Sequence, residues 1–275
     1  MPLAEDFRFS AKNLQDYADC PRRFELKYIL KQSWPAEVSQ PVQEVEEKME
    51  KGRLFHKLVN QFLSGVSGDM IVDSLGDSQT IVWFERFLEF FEESGILPFA
   101  SELRTITSLA GYRLVAVFDL IGINAEKKPV IIDWKTSIQP PRESFYQGKI
   151  QTGLYPLIAA KSLENIFRDV NFEKYPVTMQ YWFPEFPEKT IRFVKNLDEI
   201  ESDRERISGL IKEIEETPEG NFLKTDHLKR CDYCEFRSLC RRGILAGNIL
   251  QQDEYADLEQ ILGELTLEEI EEISL

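Results

Sequence analysis

The stretch Leu114–Thr136, LVAVFDLIGINAEKKPVIIDWKT, carries two aspartates and a lysine at a spacing suited to holding a cation and stabilising developing negative charge. Alternating apolar and β-branched residues predict two strands, and Asn124–Pro129 supplies the polar turn between them. With a hairpin centred near Glu126, Asp119 lies seven residues before the centre and Asp133 seven after it. The two carboxylates then face each other across the ladder, their β-carbons roughly 5 Å apart. Strand period two puts Lys135 on the face of Asp133 and Trp134 on the opposite one. Like charges buried together cost free energy unless a cation lies between them. The hairpin alone leaves two readings open, a solvated surface Asp–Lys pair and a platform for a metal ion.

Four cysteines form the second chemical group. Cys231, Cys234 and Cys240 are spaced C-x2-C-x5-C, and Cys20 lies more than two hundred residues upstream. The N-terminus, MPLAEDFRF, lacks the basic-then-apolar layout of a secretion signal. Without one, this spacing points to metal binding rather than disulfides. Zinc and an iron–sulfur cluster both use four thiolates, and spacing does not separate them from each other or from buried, unligated cysteine.

The elements around these residues follow from periodicity. Ser10 is placed to cap a helix with the inner stripe Leu14, Tyr17, Phe24 and Tyr28, interrupted at Cys20-Pro21. Residues 33–47 read as a loop or insertion. A helix from about Val45 to Leu63 buries Leu54, Phe55, Leu58, Val59 and Phe62 and leaves His56 off the centre of its stripe. Residues 80–93 form another amphipathic helix, ended by Gly95. A strand over about Ser101–Leu109 precedes the hairpin. Residues 144–161 read as a helix weakened or kinked by Pro156 and two glycines, with Gln147, Gln151 and Tyr155 on one face. Thr178–Phe183 and Thr190–Val194 form a second hairpin, and Asp198–Glu216 a charged helix. This order predicts the α/β class, a small mixed sheet flanked by helices. A metal centre shared by Cys20 and the C-terminal cysteines would clip the N-terminal helix to the C-terminal segment.

With 275 residues, 43% of them hydrophobic, the chain can bury a sizeable core. No apolar run approaches the roughly 20 residues of a membrane span, so a soluble, cytoplasmic protein with no membrane partner is expected. The net charge of −15 argues against a nucleic-acid partner only superficially. Residues 253–275 hold nine acids and no Lys or Arg, and setting them aside leaves −6 for residues 1–252. Basic residues gather at Arg22, Arg23, Lys27 and Lys31, and again at Lys229, Arg230, Arg237, Arg241 and Arg242. Local field rather than net charge steers a polyanion.

Taken in order, G-x-x-x-H at Gly52–His56, Asp119, D-x-K at Asp133–Lys135, Q-x-x-x-Y at Gln151–Tyr155 and the four cysteines resemble one family. That family is the RecB-like branch of the PD-(D/E)XK nucleases, including the AddB nuclease domain and the CRISPR-associated RecB-like exonucleases that carry a 4Fe–4S cluster. The opening FSAKNLQDYADCPRRFELKYIL is similar to their first-cysteine helix, and the resemblance spans about residues 7–243. It implies a restriction-endonuclease-like core with a helical Fe–S lobe joining the two ends of the chain. The domain would be a single unit over 1–250, with the lobe built from about 7–31 and 221–243 and an acidic tail at 251–275.

The resemblance also implies roles. His56, Asp119, Asp133 and the Trp134 carbonyl would hold Mg²⁺ or Mn²⁺, and Lys135 would orient the attacking water. Gln151 and Tyr155 would position DNA, and Cys20, Cys231, Cys234 and Cys240 would ligate the 4Fe–4S cluster. The expected activity is metal-dependent exonuclease action on single-stranded DNA ends, in CRISPR adaptation or in repair and recombination, together with other proteins. The alternatives are a non-catalytic DNA-binding or scaffold protein that keeps only an Fe–S or zinc centre, and a zinc-stapled protein-interaction module. The acidic tail is expected to be a solvated helix, or to occupy a basic DNA groove or a partner surface.

Overall fold

The computed structural model describes residues 3–4, 6–32, 42–137, 139–163, 176–232 and 234–243. The acidic tail and residues 33–41 therefore lie outside the described residues. After the two-residue strand β1 (Arg8–Phe9) come α1 (Ala11–Asp19) and α2 (Pro21–Phe24), the latter continued by a π-helical turn over Glu25–Ile29. Ser10 and Asn13 form a reciprocal capping box at α1, and the break falls at Cys20, where Pro21 opens the next helix. The helix α3 spans Val42–Leu63 and so begins inside the segment expected to be a loop. The run of Gln, Glu, Lys and Met between Gln43 and Glu50 consists of good helix formers, and that propensity outweighs its charge. Next come α4 (Gly68–Asp73) and α5 (Ser78–Ser94), which ends on Gly95 in the left-handed region at φ 60°.

Three strands then run antiparallel in sequence: β2 (Leu97–Leu109), β3 (Tyr112–Ile123) and β4 (Pro129–Trp134). The connection from β4 contains α6 (Glu143–Gln147) and α7 (Ile150–Ser162), and it returns to β5 (Val177–Trp182), parallel to β4. One helix over 144–161 was expected. The chain instead breaks around Gly148, while α7 runs on through Pro156. Every residue from Ile150 to Ala159 is buried, so packing on all sides holds the helix across the proline. Finally β6 (Ile191–Lys195) pairs antiparallel with β5 and leads into α8 (Leu197–Glu216).

The strand order β1-β3-β4-β5-β6, with β2 on β3, makes a mixed six-stranded sheet between two apolar layers. On one face, Phe9, Leu114, Phe118, Ile131 and Tyr181 pack with Leu14 of α1, Leu154 and Ile158 of α7 and Ile207 and Ile211 of α8. On the other, Leu120, Ile132, Trp134 and Trp182 pack with Phe55 of α3 and Phe84 and Phe87 of α5. Among the described residues, no helix is long and apolar enough to cross a membrane.

Candidate active site and cysteine lobe

The turn at Asn124 fixes the register of the first hairpin. The Asn124 side-chain oxygen accepts from the backbone N–H of Glu126 (3.0 Å) and of Lys128 (2.9 Å), and Lys127 takes φ 60°. Pairing then runs Ile123↔Pro129 through Leu120↔Ile132, and one step further along the same register sets Asp119 across from Asp133. On the neighbouring strand, Ser101↔Leu120 and Leu103↔Phe118 bracket Glu102 across from Asp119. Glu102, Asp119 and Asp133 thus stand in one row across three adjacent strands, roughly 5 Å apart per step.

The row coincides with a slip in side-chain phase. Before it, even-numbered Leu114, Ala116 and Phe118 of β3 face the α7 layer; beyond it, Leu120 faces α3 and α5, and Ile121 faces α7. On β2, Ala100 and Leu103 both pack toward the α7 layer, and Glu102 between them has φ 49°. A left-handed backbone at a residue other than glycine costs of order 1–3 kcal/mol.

Asp133 and Lys135 share the α7 face, while Trp134 enters the opposite layer. The Lys135 ammonium lies 2.9 Å from Asp133 Oδ2, and both side chains are only 4% exposed. From the first turn of α7, Gln151 Nε2 donates to Asp133 Oδ1 at 2.6 Å, and the Lys135 N–H donates to the Trp182 carbonyl at 2.9 Å, continuing the β4–β5 ladder. A carboxylate taken out of water is thereby given a charge partner and a hydrogen-bond donor, which burial requires. Tyr155, one turn beyond Gln151, is 6% exposed and packs edge-on against Phe118, with centroids 5.2 Å apart.

The Asp119 carboxylate accepts from the Trp134 N–H at 2.8 Å, tying β3 to β4 at the row. From α3, His56 Nε2 lies 3.2 Å from the Trp134 carbonyl. Its Nδ1 lies 3.5 Å from Asp119 Oδ1 and 3.9 Å from Glu102 Oε1. One ligand atom from each of His56, Glu102 and Asp119 falls within 4.8 Å of the others, the one such group of three among the described residues. Of the expected metal set, His56 and Asp119 are in this group. Asp133 instead engages Lys135 and Gln151, and the Trp134 carbonyl faces the imidazole. Gly52 brings α3 this close, because a Cβ there would lie 2.8 Å from Thr136 Oγ1.

Hydrogen bonds join the segment of Cys20 to the C-terminal segment that carries the other three cysteines. The Arg22 N–H donates to the Leu223 carbonyl (3.0 Å), and Arg230 donates to the Ala18 (3.2 Å) and Asp19 (3.1 Å) carbonyls. Lys224 Nζ reaches the Cys240 carbonyl at 2.8 Å, and the buried Glu25 accepts from the Gly220 N–H. Burial works against the Arg23 charge, but Asp16 (2.9 Å) and Asp19 (3.0 Å) more than offset it, so its guanidinium stays charged. Burial pushes up the thiols of Cys231, Cys234 and Cys240, that of Cys234 to about 11, and the nearby charge of Cys20 raises each further. No three of the thiols come within 4.8 Å of one another.

Residues 8–241, the four cysteines among them, match the family described as the PD-(D/E)XK nuclease superfamily. The chain belongs to the PD-(D/E)XK nuclease superfamily. Its mixed sheet with helices on both faces fits the restriction-endonuclease-like fold of that superfamily, whose members use divalent metals such as Mg²⁺ or Mn²⁺. The chain is similar to the solved structure of SSO0001, with 15% identity over 86% of this chain and 87% of that one and a TM-score of 0.43. A structure from Eubacterium rectale named "Putative exonuclease" shares 12% identity over 76% of this chain and 80% of that one, with a TM-score of 0.42. No curated protein matches the sequence. Sequence reading missed Glu102 of this PD-(D/E)XK nuclease, since a charged residue between Ser101 and Leu103 has the pattern of a solvated strand face.

Proposed function

We propose that the protein is a metal-dependent DNA exonuclease acting on single-stranded ends, in CRISPR adaptation or in DNA repair and recombination. The observation that carries this reading is the buried Asp133–Lys135 pair, held by Gln151 beside the His56–Asp119 contact in a PD-(D/E)XK nuclease. His56 and Asp119 offer an imidazole nitrogen and a hard carboxylate oxygen, a donor set that fits Mn²⁺ or Mg²⁺. When bound, such an ion polarises a phosphoryl oxygen and acidifies a water.

The chain's own groups supply the rest. Lys135 carries a compact positive charge suited to stabilising negative charge as it develops on a phosphate. Asp133 orients that ammonium and is itself held by Gln151, so the pair keeps one geometry through the reaction. Tyr155 supports the helix that delivers Gln151 by packing on Phe118.

A cleft of about 800 Å³, lined among others by Gln15, Asp19, Arg142, Lys149, Lys229 and Arg230, supports DNA as the partner. Lys149, which lines this cleft, is the residue before α7, the helix that carries Gln151. Local positive charge is what a polyanion needs from an acidic protein.

For the cysteines we propose a 4Fe–4S cluster. Four thiolates are the ligand set of such a cluster, and Cys20 with the C-x2-C-x5-C run at Cys231, Cys234 and Cys240 supplies four.

The test is degradation of end-labelled single-stranded DNA with Mn²⁺, with and without chelator, against Asp133→Ala. Chelator-sensitive loss of substrate by the parent and none by the variant is expected. A parent that leaves the substrate intact removes the nuclease reading in favour of a non-catalytic DNA-binding scaffold. A colourless anaerobic preparation with stoichiometric zinc overturns the cluster.

A further inference from the structure

We propose that the acidic segment 253–275 of this chain docks in the cleft lined by Arg142, Lys149, Lys229 and Arg230 and competes there with DNA. The proposal rests on the reading of that cleft as a DNA surface and adds to it a regulator carried by the chain itself. Three observations carry it. The first is charge. Residues 253–275 hold nine acids and no Lys or Arg. In the cleft, those four cationic side chains stand against two carboxylates, Asp19 and Asp226, and Arg142 and Lys229 are exposed. Asp19 is already engaged by Arg23 at 3.0 Å and by Arg230 at 3.3 Å, so the cleft presents net positive charge to whatever enters it.

The second is position. The last described residues are tied to the segment that forms one wall of the cleft. Arg242 donates to the Thr225 carbonyl at 3.2 Å, and Lys224 Nζ reaches the Cys240 carbonyl at 2.8 Å. Thr225 directly precedes Asp226, His227 and Leu228, which line the cleft. Asp253 follows Gly243, the last described residue, by ten positions. Ten residues span up to about 33–36 Å when extended and about 17 Å as a flexible coil, enough to bring the acids over the cleft.

The third is apolar character. Leu258, Ile261, Leu262 and Leu265 are interleaved with the acids. In the cleft wall, Leu228 is 56% exposed and Phe145 is half-buried. An acidic segment with aliphatic groups covers both the cations and this apolar surface, the same groups that a single strand meets with its phosphates and bases. A tethered segment acts at an effective concentration on the order of 1 mM. A contact with a dissociation constant of only about 0.1 mM then fills the cleft about nine-tenths of the time and weakens DNA binding about tenfold.

The experiment uses the full chain at low salt without added Mn²⁺ or Mg²⁺, so that no cleavage intervenes. In one variant all nine acids of residues 253–275 become amides, Asp253→Asn and Asp257→Asn with each of the seven glutamates changed to glutamine. A labelled peptide of residues 253–275 and a labelled single-stranded oligonucleotide are titrated separately onto the parent and the amide variant, each with and without Arg142→Glu plus Lys229→Glu. The amide variant is expected to bind the peptide, to lose it on Arg142→Glu plus Lys229→Glu, and to bind the oligonucleotide about tenfold more tightly than the parent. Neutralising the nine acids moves the net charge from −15 to −6, which favours a polyanion anywhere on the surface. A gain in oligonucleotide affinity that persists undiminished with Arg142→Glu plus Lys229→Glu is that general effect and overturns the proposal. A peptide that does not bind, or that binds regardless of the charge reversal, overturns it too, while oligonucleotide binding by the same chains leaves the DNA reading standing. A peptide held by the cleft with no oligonucleotide bound by any chain overturns the DNA reading and the competition with it. If the charge reversal fails to fold, Arg142→Gln plus Lys229→Gln decides by the same readouts.

Discussion

The acidic row and the cysteine segments are held in opposite ways. The row lies on the sheet: Glu102 and Asp119 sit between paired neighbours of β2 and β3, Asp133 follows the last paired residues of β3 and β4, and two aromatic and aliphatic layers clamp these strands. The lobe joins chain segments some two hundred residues apart through main-chain hydrogen bonds and side chains such as Arg22, Arg230 and Lys224. Its C-terminal half, from Leu228 on, contributes Phe236 as its one fully buried side chain among the described residues. A site built on a sheet keeps its geometry when a single contact is lost, whereas a lobe built on scattered polar contacts gains from a central staple. The proposed function accordingly puts the chemistry on the sheet and gives the cysteines the fastening.

Breaking the buried pair gives the largest contrast. Lys135→Met strands Asp133 in a dry environment and is expected to destabilise the fold by about 3–5 kcal/mol, read from chemical denaturation, with loss of cleavage. Arg230→Met in the lobe removes an ion pair to Asp19 whose arginine is one-third exposed, and should cost about 1 kcal/mol or less. The double variant Asp133→Leu with Lys135→Met sharpens the point. Two apolar groups in place of the pair should recover most of the stability and none of the cleavage. Recovery of both would make the pair a structural feature and move the chemistry elsewhere.

The next effect acts on position alone. Gly52→Ala pushes a methyl group to 2.8 Å from Thr136 Oγ1, directly after Lys135 in the chain. The expected result is a fall in kcat/KM of about 10²-fold, the scale of a 1 Å misplacement of catalytic groups, with a modest change in melting temperature. Adding Thr136→Ala removes the opposing oxygen and should restore much of the activity. A Gly52→Ala enzyme with parent kinetics would show that the spacing between α3 and β4 does not govern the site.

The same contrast explains what the sequence disclosed. The hairpin register was legible because Asn124 builds a local turn and the count from Glu126 is symmetric, and the pairing Ile123↔Pro129 through Leu120↔Ile132 has that symmetry. The Lys135 and Trp134 faces followed from strand period. Glu102 was not legible, because its partner in the row depends on pairing between β2 and β3 and on a phase slip that defeats a period-two count. The helix expected to be weakened by Pro156 and two glycines breaks at one of those glycines, Gly148, while burial of α7 on all sides overrides the proline. In the lobe, the stripe of Tyr17 and Phe24 was visible, whereas the contacts of Arg22, Arg230 and Lys224 to distant carbonyls carry no periodic signal.

The smallest expected effect lies where the lobe rests on the core. Tyr17 packs edge-on against Phe24 and Phe222, and burial followed by its hydrogen bond to Glu213 raises its pKa from 10.0 to about 12. The folded state therefore holds the phenol proton more tightly than the unfolded chain does. Its contribution is complete below pH 10 and is lost as pH rises through about 12. Tyr17→Phe keeps the ring packing and removes the titration. At neutral pH it should cost about 1 kcal/mol, the worth of one buried hydrogen bond. In the alkaline range its stability should fall less steeply than that of the parent, measured by denaturation at pH values from 9 to 12. Equal slopes for parent and variant would show that Tyr17 does not couple α8 to the base of the lobe, and that the lobe's junction rests on Arg22, Glu25 and Arg230 alone.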